Sequence, residues 1–152
     1  MKTQLDRARE GEITPEMKEA AIYDDVTPEF IRNGIANGHI VIYGNPQRKS
    51  KVVGIGSGLR TKINASIGTS PDIIDFDMEV KKAIVAEETG ADTLMELSTG
   101  GNLTEVRRRV LDAVGLTVGN VPLYQAAMET IDKKGSVVHM ESDFLFDCIE
   151  QQ

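Results

Sequence analysis

From about Thr61 the chain alternates short strand-like runs with amphipathic helical stretches, and this alternation restricts the possible folds most strongly. The strand-like runs are residues 62–67, 92–97 and 116–121, and a helical pattern follows each of them. Such alternation is typical of a parallel sheet with crossover helices. We therefore predict an α/β fold with three βα units over residues 61–152.

Three βα units are too few for a complete fold of this type. A closed (β/α)8 barrel needs about 250 residues, and a three-stranded sheet alone leaves its edges unpaired. The chain ends at Gln152, directly after an amphipathic helix that should lead into another strand. We expect either that the rest of the sheet is missing from this chain or that another chain supplies it. A self-associating, non-catalytic binding module is the corresponding alternative to an enzyme.

The segment before the alternation, residues 1–60, begins with two helix-start signals. Residues 14–16 and 27–29 both read Thr-Pro-Glu. Threonine caps free backbone N–H groups, proline suits the first helical position, and glutamate complements the helix dipole. Gly38 is placed to end the second helix. We predict one domain over residues 1–60, with two short helices and a small β region, and a second over residues 61–152.

Charge and hydropathy exclude several functions. The net charge is −7, with acidic and basic residues interleaved, which argues against binding to nucleic acid or to an anionic membrane surface. We interpret the basic run 107–109 as a solvated helix face. No apolar stretch approaches the roughly 18 residues of a membrane span, and the N-terminus lacks the apolar core of a signal peptide. We expect a cytoplasmic protein.

Few residues have the spacing of catalytic or metal-binding groups. Cys148 is the single cysteine, and its apolar neighbours indicate a core position. His39 and His139 lie far apart, so we predict no metal site and no catalytic centre in this chain. The glycine-rich stretch 54–58 lacks both phosphate-loop patterns and is better explained as a tight bend. A phosphate-binding regulator remains an alternative.

Polar and unusual side chains follow the three predicted strands, where ligands bind in parallel βα folds. They are Asn64, Ser66, Met95, Glu96, residues 98–101, Asn120 and Tyr124. Each also has an ordinary structural explanation, such as core packing for Met95 or helix capping for residues 98 and 99. Their occurrence at three successive strand ends favours a binding site. A predicted helix between the first two strands buries a stripe of Ile73, Phe76, Val80 and Ile84 and ends at Gly90.

Four ordered motifs resemble the phosphomethylpyrimidine synthase family. Residues 62–68, 90–100 and 119–126 correspond to family stretches reading approximately K-V-N-A-N-I-G, G-A-D-T-V-M-D-L-S-T-G and G-T-V-P-I-Y-Q-A. Residues 8–17 match the usual start of the family. The resemblance covers essentially the whole chain.

The resemblance implies the N-terminal segment and first three βα units of a (β/α)8 TIM-type barrel. Family members are radical lyases of thiamine biosynthesis that convert aminoimidazole ribonucleotide to hydroxymethylpyrimidine phosphate. They use S-adenosylmethionine, a [4Fe–4S] cluster held by three cysteines near the C-terminus, and a divalent metal, zinc, held by later histidines. The resemblance places none of these ligands in this chain, so we expect the chain alone to be inactive. We also expect a homo-oligomer.

The family's substrate contacts within this segment correspond to Ser66, Met95 and Tyr124. Met95 and Tyr124 match the family residues, whereas Ser66 replaces an asparagine. A serine hydroxyl is shorter than an amide and carries a single donor. The replacement leaves open a related enzyme of anaerobic cobalamin biosynthesis, hydroxybenzimidazole synthase, which makes 5-hydroxybenzimidazole from the same ribonucleotide.

Overall fold

A computed structural model describes residues 2–45 and 47–152 as an α/β protein that divides into two compact units. The first unit comprises the chain up to Ile63 together with Gly115–Thr117. Hydrogen bonds tie this short stretch to residues 48–51, including one of 2.7 Å from Thr117 Oγ1 to Lys51 O. No helix in these two described ranges combines the length and apolar character needed to cross a bilayer.

Over its described residues, the first unit contains three helices and two antiparallel strands. They are α1 (Gln4–Arg9), α2 (Pro15–Asp24), α3 (Pro28–Ala36), β1 (Ile40–Tyr43) and β2 (Val53–Gly56). The small core consists of Ala8, Met17, Ala21, Ile31, Ile35 and Ile40. Gly34 makes this packing possible, because a Cβ there would lie 2.3 Å from the Ile40 Cδ1 atom.

Threonine side chains cap all three helices of the first unit. The predicted starts of α2 and α3 are confirmed, since the hydroxyls of Thr14 and Thr27 accept the N–H groups of Met17 and Phe30. The sequence interpretation missed α1. Its signal was nevertheless local, because Thr3 and Asp6 form a reciprocal capping box.

The glycine-rich stretch 54–58 forms the end of β2 and a tight turn, as predicted. The Leu59 N–H donates to Gly56 O at 3.3 Å, which closes the turn. Gly58 has a φ of 80°, and a Cβ there would lie 2.7 Å from the Phe30 ring. The glycines thus serve backbone geometry and packing against α3.

The second unit comprises Asn64–Val114 and Val118–Gln152. Its elements are β3 (Asn64–Ile67), α4 (Phe76–Glu88), β4 (Thr93–Glu96), α5 (Leu103–Ala113), β5 (Thr117–Asn120, of which Thr117 is grouped with the first unit), α6 (Pro122–Lys134), a 3-10 turn (Val137–His139) and α7 (Ser142–Glu150). The sheet order is β3-β4-β5, and β3 runs parallel to β4. Helix α4 packs against α5, and α6 packs against α7.

The buried face of α4 differs from the predicted stripe. Ile73 precedes the helix and is 69% exposed, and Ile84 is 36% exposed. The helix begins only at Phe76, after the Asp75 cap, and its buried residues are Glu79 and Ala83. Ile84 is one residue, about 100° of helical rotation, beyond Ala83, so it turns away from the core.

Candidate functional site

One face of the β3–β4 pair carries polar side chains and a methionine. Asn64 and Ser66 of β3 pair in register with Thr93 and Met95 of β4. Side chains alternate along a strand, so these four lie on one face. The Thr93 hydroxyl donates to Asn64 Oδ1 at 2.9 Å.

The opposite face of the same strands is mostly buried. Ile67 is 8% exposed, Leu94 is fully buried and Glu96 is 3% exposed. By contrast, Asn64 and Ser66 are exposed and Met95 is half-buried. The accessible face of the sheet is therefore the one that carries two of the three predicted site residues.

Met95 lies against a glycine of the neighbouring strand. A Cβ built on Gly119 of β5 would be only 2.7 Å from the Met95 sulfur. The thioether thus fills the space that a side chain at position 119 would take. Strand β5 therefore contributes to the candidate site by having a glycine at position 119, which leaves room for the Met95 side chain.

Tyr124, the third predicted site residue, lies in the first turn of α6, shortly after the end of β5. Its side chain is 42% exposed, and its N–H donates to Val121 O at 2.9 Å. The structure brings Ser66 and Met95 side by side. Among the described residues, no hydrogen bond links Tyr124 to either of them, and the hydroxyls of Ser66 and Tyr124 have no protein partner. Both hydroxyls are free to bind a ligand.

The turns that follow β3 and β4 are joined directly. The Thr69 N–H donates to Ser98 Oγ at 2.9 Å, and the Thr69 hydroxyl donates to Gly100 O at 2.6 Å. A Cβ at Gly100 would lie 2.3 Å from Ser70 O, so the two backbones are in close contact. The turn after β3 and the turn after β4, which border the candidate site, are therefore hydrogen-bonded to each other.

Two buried carboxylates accept hydrogen bonds from the backbone of these turns. Glu79 of α4 accepts the Gly68 N–H at 2.7 Å, and Glu96 accepts the Ser98 N–H at 2.9 Å. Both side chains belong to residues that are 3% exposed. Lys82 pairs with Glu79 at 2.6 Å. The sequence interpretation missed Glu79, because a glutamate within a helix gives no local sign of burial.

Arg107 corrects the prediction of a solvated basic run over residues 107–109. Arg108 and Arg109 do extend into solvent, but Arg107 is only 8% exposed. It shares the inner face of α5 with Leu103, one helical turn earlier. Burial lowers the pKa of the Arg107 guanidinium, and the nearby Glu96 carboxylate counteracts that effect.

The described residues do not suit an iron–sulfur cluster. No group of three histidine, cysteine or acidic side chains within residues 2–45 and 47–152 could hold a metal ion. Cys148 is fully buried, as predicted, and burial raises the pKa of its thiol. Such clusters need several thiolate ligands. His39 and His139 are both exposed.

Comparisons with known proteins agree on one family. The profile of the "Radical SAM ThiC family" matches residues 3–152. The chain is 57% identical over 151 residues, 99% of its length, to "Phosphomethylpyrimidine synthase 1" of Methanothermobacter thermautotrophicus. It is also 57% identical over 152 residues, its full length, to "5-hydroxybenzimidazole synthase" of Geobacter metallireducens. In both comparisons the chain spans 35% of the relative's length.

Proposed function

The chain belongs to the radical SAM ThiC family, and from this membership we propose that it is the N-terminal part of a phosphomethylpyrimidine synthase. The full-length enzyme would convert aminoimidazole ribonucleotide to hydroxymethylpyrimidine phosphate for thiamine biosynthesis, as a carbon–carbon lyase. Its cofactors would be S-adenosylmethionine, a [4Fe–4S] cluster and a divalent metal, zinc, with metal ligands outside this chain. The 57% identity across nearly the whole chain carries this proposal.

Within this chain, Ser66, Met95 and Tyr124 would contact the ribonucleotide. The open sheet face supports this role for Ser66 and Met95, which are register partners. A methionine thioether is polarisable and packs well against a flat ring, while the two hydroxyls can donate and accept hydrogen bonds. This part of the site would bind and orient substrate, and the reacting groups would come from the remainder of the enzyme.

The three-stranded sheet would form the start of a (β/α)8 barrel. Sequential strand order and the parallel β3–β4 pair support this proposal, as does the placement of a helix between successive strands. The β3 and β5 edges would then pair with strands from the remainder of the barrel or from a partner chain. We also propose a homo-oligomer, which sedimentation equilibrium of the full-length enzyme would test.

The second candidate activity is synthesis of 5-hydroxybenzimidazole from the same ribonucleotide. Two observations support this activity. The chain is as similar to a relative of that name as to the phosphomethylpyrimidine synthase, and it has a serine at position 66. Mass spectrometry of products from the anaerobically reconstituted full-length enzyme, supplied with ribonucleotide, S-adenosylmethionine and a reductant, separates the two. We expect hydroxymethylpyrimidine phosphate. Formation of neither product by a cluster-loaded enzyme would contradict both activities.

Position 66 is expected to influence which product forms. Ser66→Asn introduces a longer side chain with an additional donor on the open sheet face, so we expect an altered product ratio or reduced turnover. The same product assay measures this effect. Ser57→Asn, in the exposed turn of the first unit, is the matched control and should behave like the unsubstituted enzyme. Identical products and rates for Ser66→Asn would show that the position tolerates either residue.

A further inference from the structure

A buried hydrogen bond links α5 to the first turn of α6, and a buried carboxylate at the end of β4 lies near it. Glu96 ends β4, Arg107 follows on α5, and Gln125 lies on α6. The Arg107 Nη2 atom donates to Gln125 Oε1 at 2.8 Å. All three residues are buried, with Gln125 only 2% exposed. The Arg107–Gln125 bond therefore ties α5, the helix that follows the Met95 strand, to the turn that carries Tyr124.

Arg107 has strong physical requirements in this position. Arginine keeps its charge under all ordinary conditions, so a buried guanidinium needs a counter-charge and acceptors. Glu96 provides the opposite charge, and Gln125 provides an acceptor. The Nε atom of Arg107 is buried without a hydrogen-bond partner. Because Nε makes no hydrogen bond, the bond from Nη2 to Gln125 is the contact that orients the guanidinium.

Gln125 has an equally central place in the first turn of α6. Val121, the residue at the N-cap, provides no side-chain cap for this helix. The Gln125 side chain accepts from Arg107 and Gln152 and donates to Glu129 and Gln151, at distances of 2.8 to 3.2 Å. Tyr124 is the adjacent residue in the same turn, so fixing the position of Gln125 also fixes the direction of the Tyr124 Cα–Cβ bond.

We propose that Arg107 is a positioning residue that, through Gln125, holds the Tyr124-bearing turn of α6 against α5 for binding of the ribonucleotide. This inference rests on the proposed function. Arg107 is only 8% exposed, so its guanidinium would act through Gln125 and not by touching the ligand. Its contribution is to keep Tyr124 at a constant position relative to Met95, so that both contact one ligand without reorganisation.

A double-mutant cycle with Tyr124 tests the proposal. Calorimetry with the full-length enzyme measures the affinity for aminoimidazole ribonucleotide in Arg107→Lys, Tyr124→Phe and the double variant. Lysine keeps the charge beside Glu96 but lacks the planar fork of donors that reaches Gln125. We expect Arg107→Lys to weaken binding about fivefold, and to cause no further weakening when Tyr124→Phe is present.

Arg109→Lys is the matched control, because Arg109 is exposed on the same helix and pairs with Glu105. Its affinity should equal that of the unsubstituted enzyme. Unchanged binding in Arg107→Lys, or an equal loss in both Tyr124 backgrounds, would overturn the positioning role. The second result would indicate a general structural effect.

Hydrogen exchange provides a readout that needs no ligand. The Tyr124 amide, bonded to Val121 O, should exchange faster in Arg107→Lys than in Arg109→Lys. Equal exchange would contradict the inference whatever the enzyme binds. If the unsubstituted enzyme fails to bind ribonucleotide while Arg107→Lys accelerates exchange, the proposed substrate is wrong but the hold on the turn is supported.

Discussion

Met95 occupies space that any residue larger than glycine at position 119 would take. Its sulfur lies 2.7 Å from the position of a Cβ on Gly119. Methionine is flexible, with three rotatable side-chain bonds, so a change at position 119 would move the thioether before it disturbed the strands. A ligand contact at Met95 therefore depends on position 119 of β5 being a glycine.

Gly119→Ala should weaken ribonucleotide binding while changing the stability of the fold only slightly. We expect the added methyl group to displace the Met95 thioether and weaken ribonucleotide affinity in the full-length enzyme. The free energy of unfolding should change by no more than about 1 kcal/mol, because the methionine can adopt another rotamer. Calorimetric titration and urea unfolding measure the two effects. Gly44→Ala, whose Cβ would meet Val52 at an ordinary 3.5 Å, is the control for binding; an unchanged affinity for Gly119→Ala would argue against Met95 as a contact.

The helices of the first unit begin at threonines that differ in their surroundings. Thr27 is exposed and makes a cap bond of 3.1 Å with the Phe30 N–H. Thr14 is 2% exposed, caps α2 through the Met17 N–H, and also donates its hydroxyl to Gln4 Oε1 at 2.9 Å. The Thr14 hydroxyl consequently links the start of α2 to α1 as well as capping its own helix.

Removing the two hydroxyls should have unequal effects. We expect Thr27→Ala to lower the free energy of unfolding by about 1 kcal/mol, a typical value for an N-cap, and Thr14→Ala to cost more, about 2 kcal/mol. The difference arises because Thr14→Ala also leaves the Gln4 bond unmade. Urea unfolding measures both values, and Thr104→Ala on the exposed surface of α5 should be nearly neutral. Equal losses at positions 14 and 27 would show that the Gln4 bond contributes nothing.

At the scale of the whole molecule, a buried ion pair connects distant parts of the chain. Lys62 Nζ lies 2.6 Å from Asp24 Oδ1, and their side chains are 4% and 0% exposed. Asp24 ends α2, whereas Lys62 precedes β3. Asp24 also accepts the Arg60 N–H at 3.2 Å, and its second oxygen is buried without a partner. Residues 60–62 are thus held at the end of α2 by one carboxylate.

Lys62→Met should be among the most damaging substitutions outside the apolar core. It leaves Asp24 buried and unpaired, which costs about 3–5 kcal/mol. We expect Asp24→Asn combined with Lys62→Met to recover part of this loss, because the double variant has no buried charge. Thermal or urea unfolding measures both. Lys2→Met, which removes an exposed pair with Glu10, is the control and should have little effect. A small loss for Lys62→Met alone would mean that water reaches Asp24.

Capping residues and hydrophobic periodicity predicted most helix and strand boundaries. The two errors, at α1 and at the start of α4, concern the same kinds of signal. Residues 14–16 and 27–29 start helices because capping needs only neighbouring residues. Residues 3–6 carried the same kind of signal, and α1 was still missed. The predicted Ile73 position in a buried stripe was wrong because the helix starts later than the apolar periodicity does.

For the candidate site, the sequence could propose residues but not their neighbours. Ser66, Met95 and Tyr124 follow from strand-end position and from family resemblance, and their binding roles stay predictions. Register decides that Ser66 and Met95 are adjacent. No pattern indicated Glu79, Arg107 or Gln125, because charged and polar residues in helices are usually exposed.

By itself, then, the sequence determined the family and where most helices and strands begin and end, since capping, turns and periodicity act between residues close in the chain. Only the tertiary structure decided that Arg107 is buried while Arg108 and Arg109 are not, and that Met95 lies on Gly119. These placements depend on which strands pair and which helix faces pack together. Such contacts join residues far apart in sequence, and the burial of a charge is set by the partners that packing brings to it.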